Sequence, residues 1–359
     1  MTVNPDFWRG KRVFLTGHTG FKGSWTSLWL QSLGAEVHGL ALEPPTIPNL
    51  FTVAQVAKGM ASHTIGDIRD LARVQKAFQA KKPDIVIHMA AQPLVRLSYA
   101  EPVETYATNV MGTVHVMEAA RLTPSIKAIV VVTTDKCYDN KEWTWGYREN
   151  EPMGGHDPYS SSKGCAELVT SAYRRSFLQE QGKAVASARA GNVIGGGDWA
   201  ADRLVPDILR AFEQNQPVII RSPHATRPWQ HVLEPLSGYL SLAEQLYTQG
   251  QAFAESWNFG PNEDDTRAVQ WIVEHMVQIW GNGASWQQDG CTHPHEANYL
   301  KLDISKAKSR LRWQPRWPLG TALAHIGTWH QAWLTHEDMQ QLCLGQIQQY
   351  LLTQNLTSL

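Results

Sequence analysis

A strand, a glycine-rich loop and a helix follow one another near the beginning of the chain. Arg12–Thr16 is a mostly apolar run, Gly17, Gly20 and Gly23 recur three residues apart, and a helical pattern covers residues 24–33. Glycines at this spacing let the backbone approach a pyrophosphate, whose charge is favoured at a helix N-terminus. A tight turn would also use glycine, but the flanking strand and helix favour a dinucleotide site. The chain is thereby expected to begin as a Rossmann-type unit.

Further apolar runs follow, separated by helical patterns. The predicted strands are residues 36–42, a short run before residue 66, and residues 83–89, 128–132 and 184–190. Strands that are apolar throughout and alternate with helices are typical of a parallel sheet covered on both faces. The predicted fold class is therefore α/β, a Rossmann doubly wound parallel sheet with a smaller C-terminal α/β substrate domain.

The chain has 359 residues, which is more than one ordinary domain. We expect a cofactor-binding Rossmann domain over residues 1–190, to which part of residues 230–260 returns. Residues 191–335 are predicted to be mainly a substrate-binding domain, and residues 336–359 a C-terminal helical tail with a loose end. The glycine run at residues 195–197 does not open a helix at once, so a wide loop is favoured there over a second nucleotide fingerprint.

The end of the second predicted strand bears on which cofactor is bound. An acidic residue near this point usually holds a free ribose 2′-OH, and the nearest acid here is Glu43, which comes slightly late. No arginine is present there for a 2′-phosphate, so NAD is favoured. Asp67 could cap the next helix or face an adenine ring. Ala90 and Ala91, after the fourth strand, suit close approach of a cofactor. Asn109 could be an ordinary surface amide or a polar group near the site.

Two short stretches carry the candidate chemistry. Thr134, Asp135 and Lys136 follow an apolar strand, and chemistry in doubly wound folds lies beyond the carboxyl ends of such strands. Tyr159 and Lys163 follow the helix-start signal Asp-Pro and would share one helical face. A neighbouring ammonium favours the anion of a phenol, whose ordinary pKa is about 10. The same residues could be a capped turn and a surface pair, so only the rest of the chain favours an active site.

Composition and charge restrict the classes of partner. The formal net charge is −1, with 32 basic and 33 acidic residues, so neither nucleic acid nor an anionic membrane is indicated. The cysteines, at positions 137, 165, 291 and 343, show no CxxC spacing, which predicts free thiols in a reducing compartment and no zinc site. The first eleven residues lack an apolar segment and no later run approaches a membrane span, so a cytoplasmic protein is expected.

A loop and an arginine remain from the later sequence. Residues 143–148 form an aromatic loop ahead of the helix that carries Tyr159, and a packed flap is its simplest interpretation. Arg227 offers a guanidinium fork that matches phosphate.

Taken in order, these motifs resemble the extended short-chain dehydrogenase/reductase family. Within it the chain is similar to the nucleotide-sugar 4,6-dehydratases, and the Asp-Lys pair favours the branch that acts on CDP-glucose. The resemblance covers residues 10–335 and rests on the motifs at 16–23, 66–68, 88–92, 133–136, 159–163, 189–192 and 227–232. It implies a seven-stranded Rossmann domain with NAD, and a nucleotide sugar bound between this domain and a smaller one. It also implies a homodimer through the segments near 97–121 and 159–179, or a dimer of dimers.

The resemblance also implies a role for each site residue. Cofactor contacts fall on Gly17, Thr19, Gly20, Phe21, Gly23, Asp67, Ile68, Ala90, Ala91, Gln92, Asn109, Thr133, Tyr159 and Lys163, and substrate contacts on Asn192, Arg203, Arg227 and His231. The implied catalytic residues are Thr134, Asp135, Lys136, Tyr159 and Lys163. Tyr159 would take the proton of the sugar 4-OH, with its pKa lowered by Lys163. Asp135 would protonate the departing 6-OH, and Lys136 would remove the C5 proton.

One departure from the family pattern concerns the base. Most dTDP-glucose dehydratases carry a glutamate where this chain has Lys136. Asp135 then needs a raised pKa and Lys136 a lowered one, which burial favours and their mutual attraction opposes. The alternatives are another nucleotide-sugar 4,6-dehydratase, a 4-epimerase or decarboxylase of the same family, and a non-catalytic nucleotide-sensing protein.

Overall fold

The computed structural model describes residues 3–290 and 299–353. Its strands are β1 (Arg12–Thr16), β2 (Glu36–Ala41), β3 (Ser62–Ile65), β4 (Ile85–His88), β5 (Ala128–Val132), β6 (Ala184–Ala190), β7 (Val193–Ile194), β8 (Val218–Ile220), β9 (Thr226–Pro228), β10 (Gln230–His231), β11 (Ser256–Phe259), β12 (Thr266–Ala268) and β13 (Trp286–Gln288).

The helices occupy most of the intervals between these strands. They are α1 (Pro5–Trp8), α2 (Phe21–Ser32), α3 (Leu50–Val53), α4 (Leu71–Lys81), α5 (Val95–Ala100), α6 (Pro102–Tyr106), α7 (Gly112–Arg121), α8 (Pro158–Tyr173), α9 (Leu204–Glu213), α10 (Leu233–Gln249), α11 (Val269–Trp280), α12 (Ser305–Arg310), α13 (Leu319–Leu334) and α14 (Met339–Leu352). Single π turns, Ala107–Met111 and Arg174–Leu178, join α6 to α7 and extend α8.

A seven-stranded parallel sheet forms the centre of the molecule. Its order is β11-β6-β5-β4-β1-β2-β3, and every neighbouring pair runs parallel. The predicted α/β class is thereby confirmed. At one edge of the sheet, β11 pairs with β6. The chain runs from β1 to β2 on one side of the sheet and from β4 to β5 on the other. The crevice between β1 and β4 is therefore the switch point, the place at which doubly wound folds bind ligands.

Successive residues of one strand supply the cores on opposite faces of the sheet. Val130 and Val132 of β5 join the core beneath α2 and α10, whereas Ile129 and Val131 join the core beneath α4 and α7. This alternation follows from the two-residue period of a strand, and it explains why β5 is apolar at every position. A third core, away from the sheet, is built by α9, α11 and α13 with β8.

Two boundaries differ from expectation. The helix after the glycine loop starts at Phe21, three residues earlier than predicted, so the third glycine lies inside it. The cap of α4 is Asp70, whose carboxylate accepts from the backbone of Arg73, and Asp67 is not the cap. The C-terminal helix covers Met339–Leu352, where the buried Tyr350 donates to Glu234 at 2.6 Å, and the end predicted to be loose falls on residues outside the described ones.

Other expectations concern the thiols and the membrane. Cys137, Cys165 and Cys343 are free thiols, while the fourth cysteine and residues 354–359 lie outside the described residues. No helix in the described chain combines the length and apolarity needed to cross a membrane. Within the same residues, no group of three or more His, Cys, Asp and Glu side chains is placed to hold a metal ion.

Candidate active site

The glycine loop packs tightly against the end of β4. Gly17 has φ +77°, and a Cβ there would lie 2.7 Å from the backbone nitrogen of Ala90. A Cβ on Gly23 would lie 2.1 Å from the carbonyl oxygen of Gly17. Gly20 occupies the N-cap position of α2 without a capping side chain, so the first N–H groups of that helix remain available to an anion.

Asn109 connects the rim of this loop to α8. Its Oδ1 accepts from the backbone of Gln92 at 2.8 Å, and its Nδ2 donates to the Gln92 carbonyl and to Ser162 Oγ at 3.0 and 2.9 Å. The residue is buried and lies in the π turn Ala107–Met111, which turns its side chain toward the rim. The surface-amide interpretation of Asn109 is therefore wrong.

The residues considered for the adenosine end of the cofactor differ in hydrogen bonding and in burial. Asp67 accepts from Nε and Nη2 of Arg69 at 2.8 and 2.5 Å, and these bonds hold its pKa below the usual range. The neighbouring Ile68 is buried, and Glu43 is exposed. Thr19 donates its hydroxyl to the carbonyl of Leu42 at 2.8 Å, which ties the glycine loop to the end of β2.

The turn after β5 brings three of the predicted catalytic residues together. Thr134 caps a short 3₁₀ turn by accepting from the backbone of Lys136 at 3.3 Å, and donates its hydroxyl to Asp135 Oδ1 at 3.0 Å. Burial raises the pKa of Asp135, and the charges of Lys136 and Arg227 oppose the rise without cancelling it. For Asp135, burial therefore has a larger effect on the pKa than the attraction of the neighbouring cations. Lys136 is only half-buried.

Tyr159 and Lys163 lie on α8, whose start Asp157 caps by accepting from the backbone of Ser160 at 2.9 Å. Burial lowers the pKa of Lys163 to about 8, and its Nζ donates to the carbonyl of Val132 at 3.3 Å. Burial raises the pKa of Tyr159 to about 12, partly offset by a hydrogen bond with Thr134. The expected direction for Tyr159 is therefore wrong in this structure, because burial has a larger effect than any neighbouring cation.

The predicted substrate residues fall into two groups. Arg203 donates to Asp198 at 2.8 Å and lies close enough to Tyr159 to affect its pKa, and Arg227 acts in the same way on Asp135. Asn192 is half-buried at the mouth of the wide loop, where its carbonyl accepts from the backbone of Gln230. These residues surround the end of β5.

His231 has different surroundings. Its ring is fully buried, 4.9 Å from the Trp317 ring and 6.2 Å from the Trp25 ring, and burial lowers its pKa to about 3. These aromatic contacts support a packing role. Its assignment to the substrate stays a prediction.

Sequence reasoning missed two charged residues of the site. Burial of the Lys22 ammonium lowers its pKa to about 7, and the charges that act on it include those of Arg203, Lys163 and Asp135. Its position between Phe21 and Gly23, within the glycine motif, was the available signal. Glu167 is one helical turn beyond Lys163, and the spacing of four residues along α8 could have indicated it.

A parallel Rossmann sheet whose fifth strand leads into a turn that begins at Thr134, beside the helix of Tyr159 and Lys163, defines an extended short-chain dehydrogenase/reductase. Residues 14–326 match the family described as GDP-mannose 4,6 dehydratase, and the chain belongs to this family of nucleotide-sugar dehydratases.

Relatives and solved structures agree with this placement. The CDP-glucose 4,6-dehydratase of Salmonella typhimurium is 60% identical over 354 residues, covering 97% of this chain and 98% of that protein. The dTDP-glucose 4,6-dehydratase of Xanthomonas campestris is 26% identical, with 89% and 94% covered. The solved UDP-glucose 4-epimerase of Thermotoga maritima shares the fold with a TM-score of 0.78 at 20% identity, over 90% of this chain and 99% of that one.

Proposed function

We propose that this protein is an NAD-dependent lyase that converts CDP-D-glucose to CDP-4-keto-6-deoxy-D-glucose and water. One observation carries the proposal: Asp135 and Lys136 stand in the same turn as Thr134, next to Tyr159 and Lys163. Oxidation at C4 needs only the last three residues, whereas loss of water also needs an acid and a base. The 60% identity to a CDP-glucose 4,6-dehydratase supports CDP as the nucleotide.

The residues present fit NAD. Gly17 and Gly23 permit close packing of backbone that a Cβ at either position would block, and the uncapped start of α2 suits a pyrophosphate. A solved dTDP-glucose 4,6-dehydratase of Streptomyces venezuelae, with a TM-score of 0.76 and 23% identity over 89% of this chain and 97% of that one, was determined with NAD bound. The residues assigned to the cofactor are Gly17, Thr19, Gly20, Phe21, Gly23, Asp67, Ile68, Ala90, Ala91, Gln92, Asn109, Thr133, Tyr159 and Lys163. Because the Thr133 hydroxyl donates to Glu167, Thr133 is assigned a main-chain contact.

Oxidation at C4 is assigned to Tyr159, Thr134 and Lys163. Tyr159 accepts the proton of the 4-OH, and Thr134, already within hydrogen-bond reach of Tyr159, contacts the same oxygen. Lys163, held at the end of β5 by the Val132 carbonyl, supplies the positive charge that the phenolate requires. NAD bound at the glycine loop would supply the hydride acceptor for oxidation at C4 and the hydride donor for reduction at C6.

Elimination of water is assigned to Asp135 and Lys136. Burial raises the pKa of Asp135 and so favours its protonated form, whose proton can be given to the departing 6-OH. The 4-keto group acidifies the C5 hydrogen, and the half-buried Lys136 removes it. Acid and base thus differ in burial although they are consecutive in sequence.

The substrate is placed between the sheet and the later segments. Arg227 and Arg203, with Asn192 and His231, are assigned to the nucleotide sugar, and a guanidinium fork matches its diphosphate. The division at residue 190, with residues 191–335 as mainly a substrate domain and residues 336–359 as a helical tail, is part of this proposal.

A second copy of the chain is assigned to the face formed by α5–α8. Large apolar side chains are exposed there: Leu97, Tyr99, Val103, Tyr106, Met111, Leu168 and Phe177. Exposed apolar side chains concentrated on one group of packed helices are typical of an interface, which supports a homodimer or a dimer of dimers. The protein is assigned to the cytoplasm, and its product to deoxysugar and lipopolysaccharide O-antigen biosynthesis.

The test is incubation of the NAD-loaded protein with CDP-, dTDP-, UDP- and GDP-glucose. A 4-keto product is expected with CDP-glucose, and deuterium placed at C4 is expected at C6 of the product. Deuterium retained at C4 of an epimerised sugar would make the protein a 4-epimerase instead. Lack of turnover with all four substrates, despite NAD binding, would favour a nucleotide-sensing protein.

A further inference from the structure

A fully buried carboxylate lies beneath the active site and takes no part in the chemistry assigned above. Oε1 of Glu167 accepts from the hydroxyl of Thr133 at 2.5 Å, and Oε2 accepts from Ser187 and Arg189 at 2.6 and 2.7 Å. Glu167 lies on α8, four residues beyond Lys163. It therefore joins the catalytic helix to the first residue of the catalytic turn.

Arg189 continues the connection to the other end of the same turn. Its Nη2 is bound to Glu167, and its Nη1 donates to the hydroxyl of Tyr138 at 2.8 Å and to the carbonyl of Glu149 at 3.0 Å. Tyr138 donates in turn to Asn258 Oδ1 at 2.7 Å. Thr134, Asp135 and Lys136 thus lie between two anchored residues, Thr133 and Tyr138.

Stability alone does not explain this pair. The Arg189 and Glu167 side chains are 4% and 3% exposed, and burying two charges has a desolvation penalty that well-packed apolar residues avoid. A buried polar network whose members are hydrogen-bonded does impose a definite geometry. Geometry matters here, because displacement of a reacting group by about 1 Å can lower a rate about a hundredfold.

We propose that the Glu167–Arg189 pair positions the active site by fixing the turn of residues 133–138 against helix α8. The pair holds Thr134, Asp135 and Lys136 in the place that the reaction requires relative to Tyr159 and Lys163. Neither Glu167 nor Arg189 touches the substrate. This inference rests on the proposed function, since the turn is catalytic only if the protein acts on a sugar nucleotide.

The same carboxylate faces Lys163. The other titratable groups that act on or near Lys163 are Cys137 in the catalytic turn, His88 on β4 and Lys22 on α2. Glu167 raises the pKa of Lys163 against the opposing effect of burial. Glu167 therefore helps to hold the turn of residues 133–138 in position, and it also favours the charged form of Lys163.

The hydroxyl of Thr133 is the link to remove, because its loss leaves the ion pair intact. In Thr133→Val we expect kcat with CDP-glucose to fall about tenfold to a hundredfold. The KM for CDP-glucose and the NAD dissociation constant should stay within about twofold. Thr133→Ser restores the hydroxyl and should recover kcat to within about threefold of the wild type.

Ser187→Ala is the matched control. It removes another hydroxyl donor to Glu167, but one on β6 rather than on the catalytic turn. Its kcat should stay within about twofold of the wild type, while its melting temperature falls about as much as that of Thr133→Val.

The outcomes separate the two proposals. Equal losses of kcat in Thr133→Val and Ser187→Ala, no loss in either, or no recovery in Thr133→Ser would overturn the positioning role. Loss of NAD binding together with kcat in Thr133→Val would also overturn it. If the wild type itself does not turn over CDP-glucose, the proposed function fails first, and this inference fails with it.

Discussion

Two buried carboxylates lie on opposite sides of the Thr133–Thr134 pair, and their surroundings differ. Glu167 accepts from Thr133, Ser187 and Arg189, and these partners hold its pKa below the usual range despite full burial. Asp135 accepts from Thr134 at Oδ1, whereas its Oδ2 has no hydrogen-bond partner among the described residues. Burial then prevails and raises its pKa.

The difference shows what distinguishes a supporting carboxylate from a reacting one. Burial favours the neutral form of any acid, and only donors and cations restore the anion. Glu167 accepts from a guanidinium and from three hydroxyls, those of Thr133, Ser187 and Ser256, so it remains a charged anchor. Asp135 accepts from one hydroxyl, so burial raises its pKa and favours the protonated form that an acid catalyst needs. Thr133 donates a hydroxyl to Glu167, and the adjacent Thr134 donates one to Asp135. The two carboxylates differ in how many further donors they have, and this difference separates the supporting carboxylate from the reacting one.

The largest expected effect is on the reacting side of the comparison. In Asp135→Asn the transferable proton is lost, so kcat for CDP-glucose should fall by about a hundredfold to ten-thousandfold. Exchange of the C5 hydrogen with deuterated water should continue, because Lys136 remains. Single-turnover kinetics and mass spectrometry of the recovered sugar measure both quantities.

Lys136→Met provides the contrast. C4 oxidation should remain, with enzyme-bound NADH accumulating, while C5 exchange falls sharply. Normal C5 exchange in this variant would mean that another residue is the base, and lost exchange in Asp135→Asn would mean that the two roles are not separate.

The next effect is on the anchoring side. Glu167→Gln removes a charge but nearly preserves shape, and it leaves Arg189 buried without its anion. The free energy of unfolding should fall by about 3–5 kcal/mol, as measured by urea denaturation at pH 7. Replacing Arg189 as well, in Glu167→Gln/Arg189→Met, should recover much of the loss while kcat stays low. Full activity in the recovered double variant would contradict the anchoring role.

The smallest effect is a difference in pH dependence. The pKa of Asp135 is higher in the folded state than in the unfolded state, so its contribution to stability is full below about pH 3.8 and is lost as pH rises through the folded pKa. Asp135→Asn lacks this titrating carboxyl. Its free energy of unfolding relative to the wild type should therefore increase as pH rises through the same range. Each pKa unit of difference corresponds to about 1.4 kcal/mol.

Glu167 has the opposite sign. Its folded pKa is depressed, so it contributes stability above about 4.5 that is lost as pH falls through the folded pKa. Relative to the wild type, the free energy of unfolding of Glu167→Gln should therefore decrease as pH rises from the folded pKa to about 4.5, and the difference should stay constant at higher pH. Urea unfolding from pH 3.5 to 8 tests both variants, and parallel curves would show that the two carboxylates titrate alike.

The strands and the outline of the site could be predicted from the sequence. The limits of β1, β5 and β6 agree with prediction, because continuous apolar runs and following polar turns are local signals. Tyr159 and Lys163 were placed on one helix by a start signal that the structure confirms, with Asp157 as the cap.

The partners of the supporting charges could not be predicted in the same way. Glu167 contacts residues 34, 20 and 22 positions away, and such partners meet only because β5, β6 and α8 pack together. The pKa of Tyr159 depends on how far the folded chain excludes water, which spacing does not specify. The surroundings of His231 could not be predicted from local sequence either, because its aromatic neighbours come from α2 and from residue 317.

The last helix has a consequence for synthesis of the protein. Tyr350 of α14 packs on Trp29 of α2, with ring centroids 5.7 Å apart, and β11 completes the sheet only at residue 259. A ribosome that adds about 5–20 residues per second needs about 8–30 s to travel from residue 190 to residue 352. For that time the nascent chain has its glycine loop and both catalytic segments, but an apolar face of α2 is without its cover. A fragment that ends at residue 190 would keep this exposed face permanently, so it should require a chaperone or aggregate.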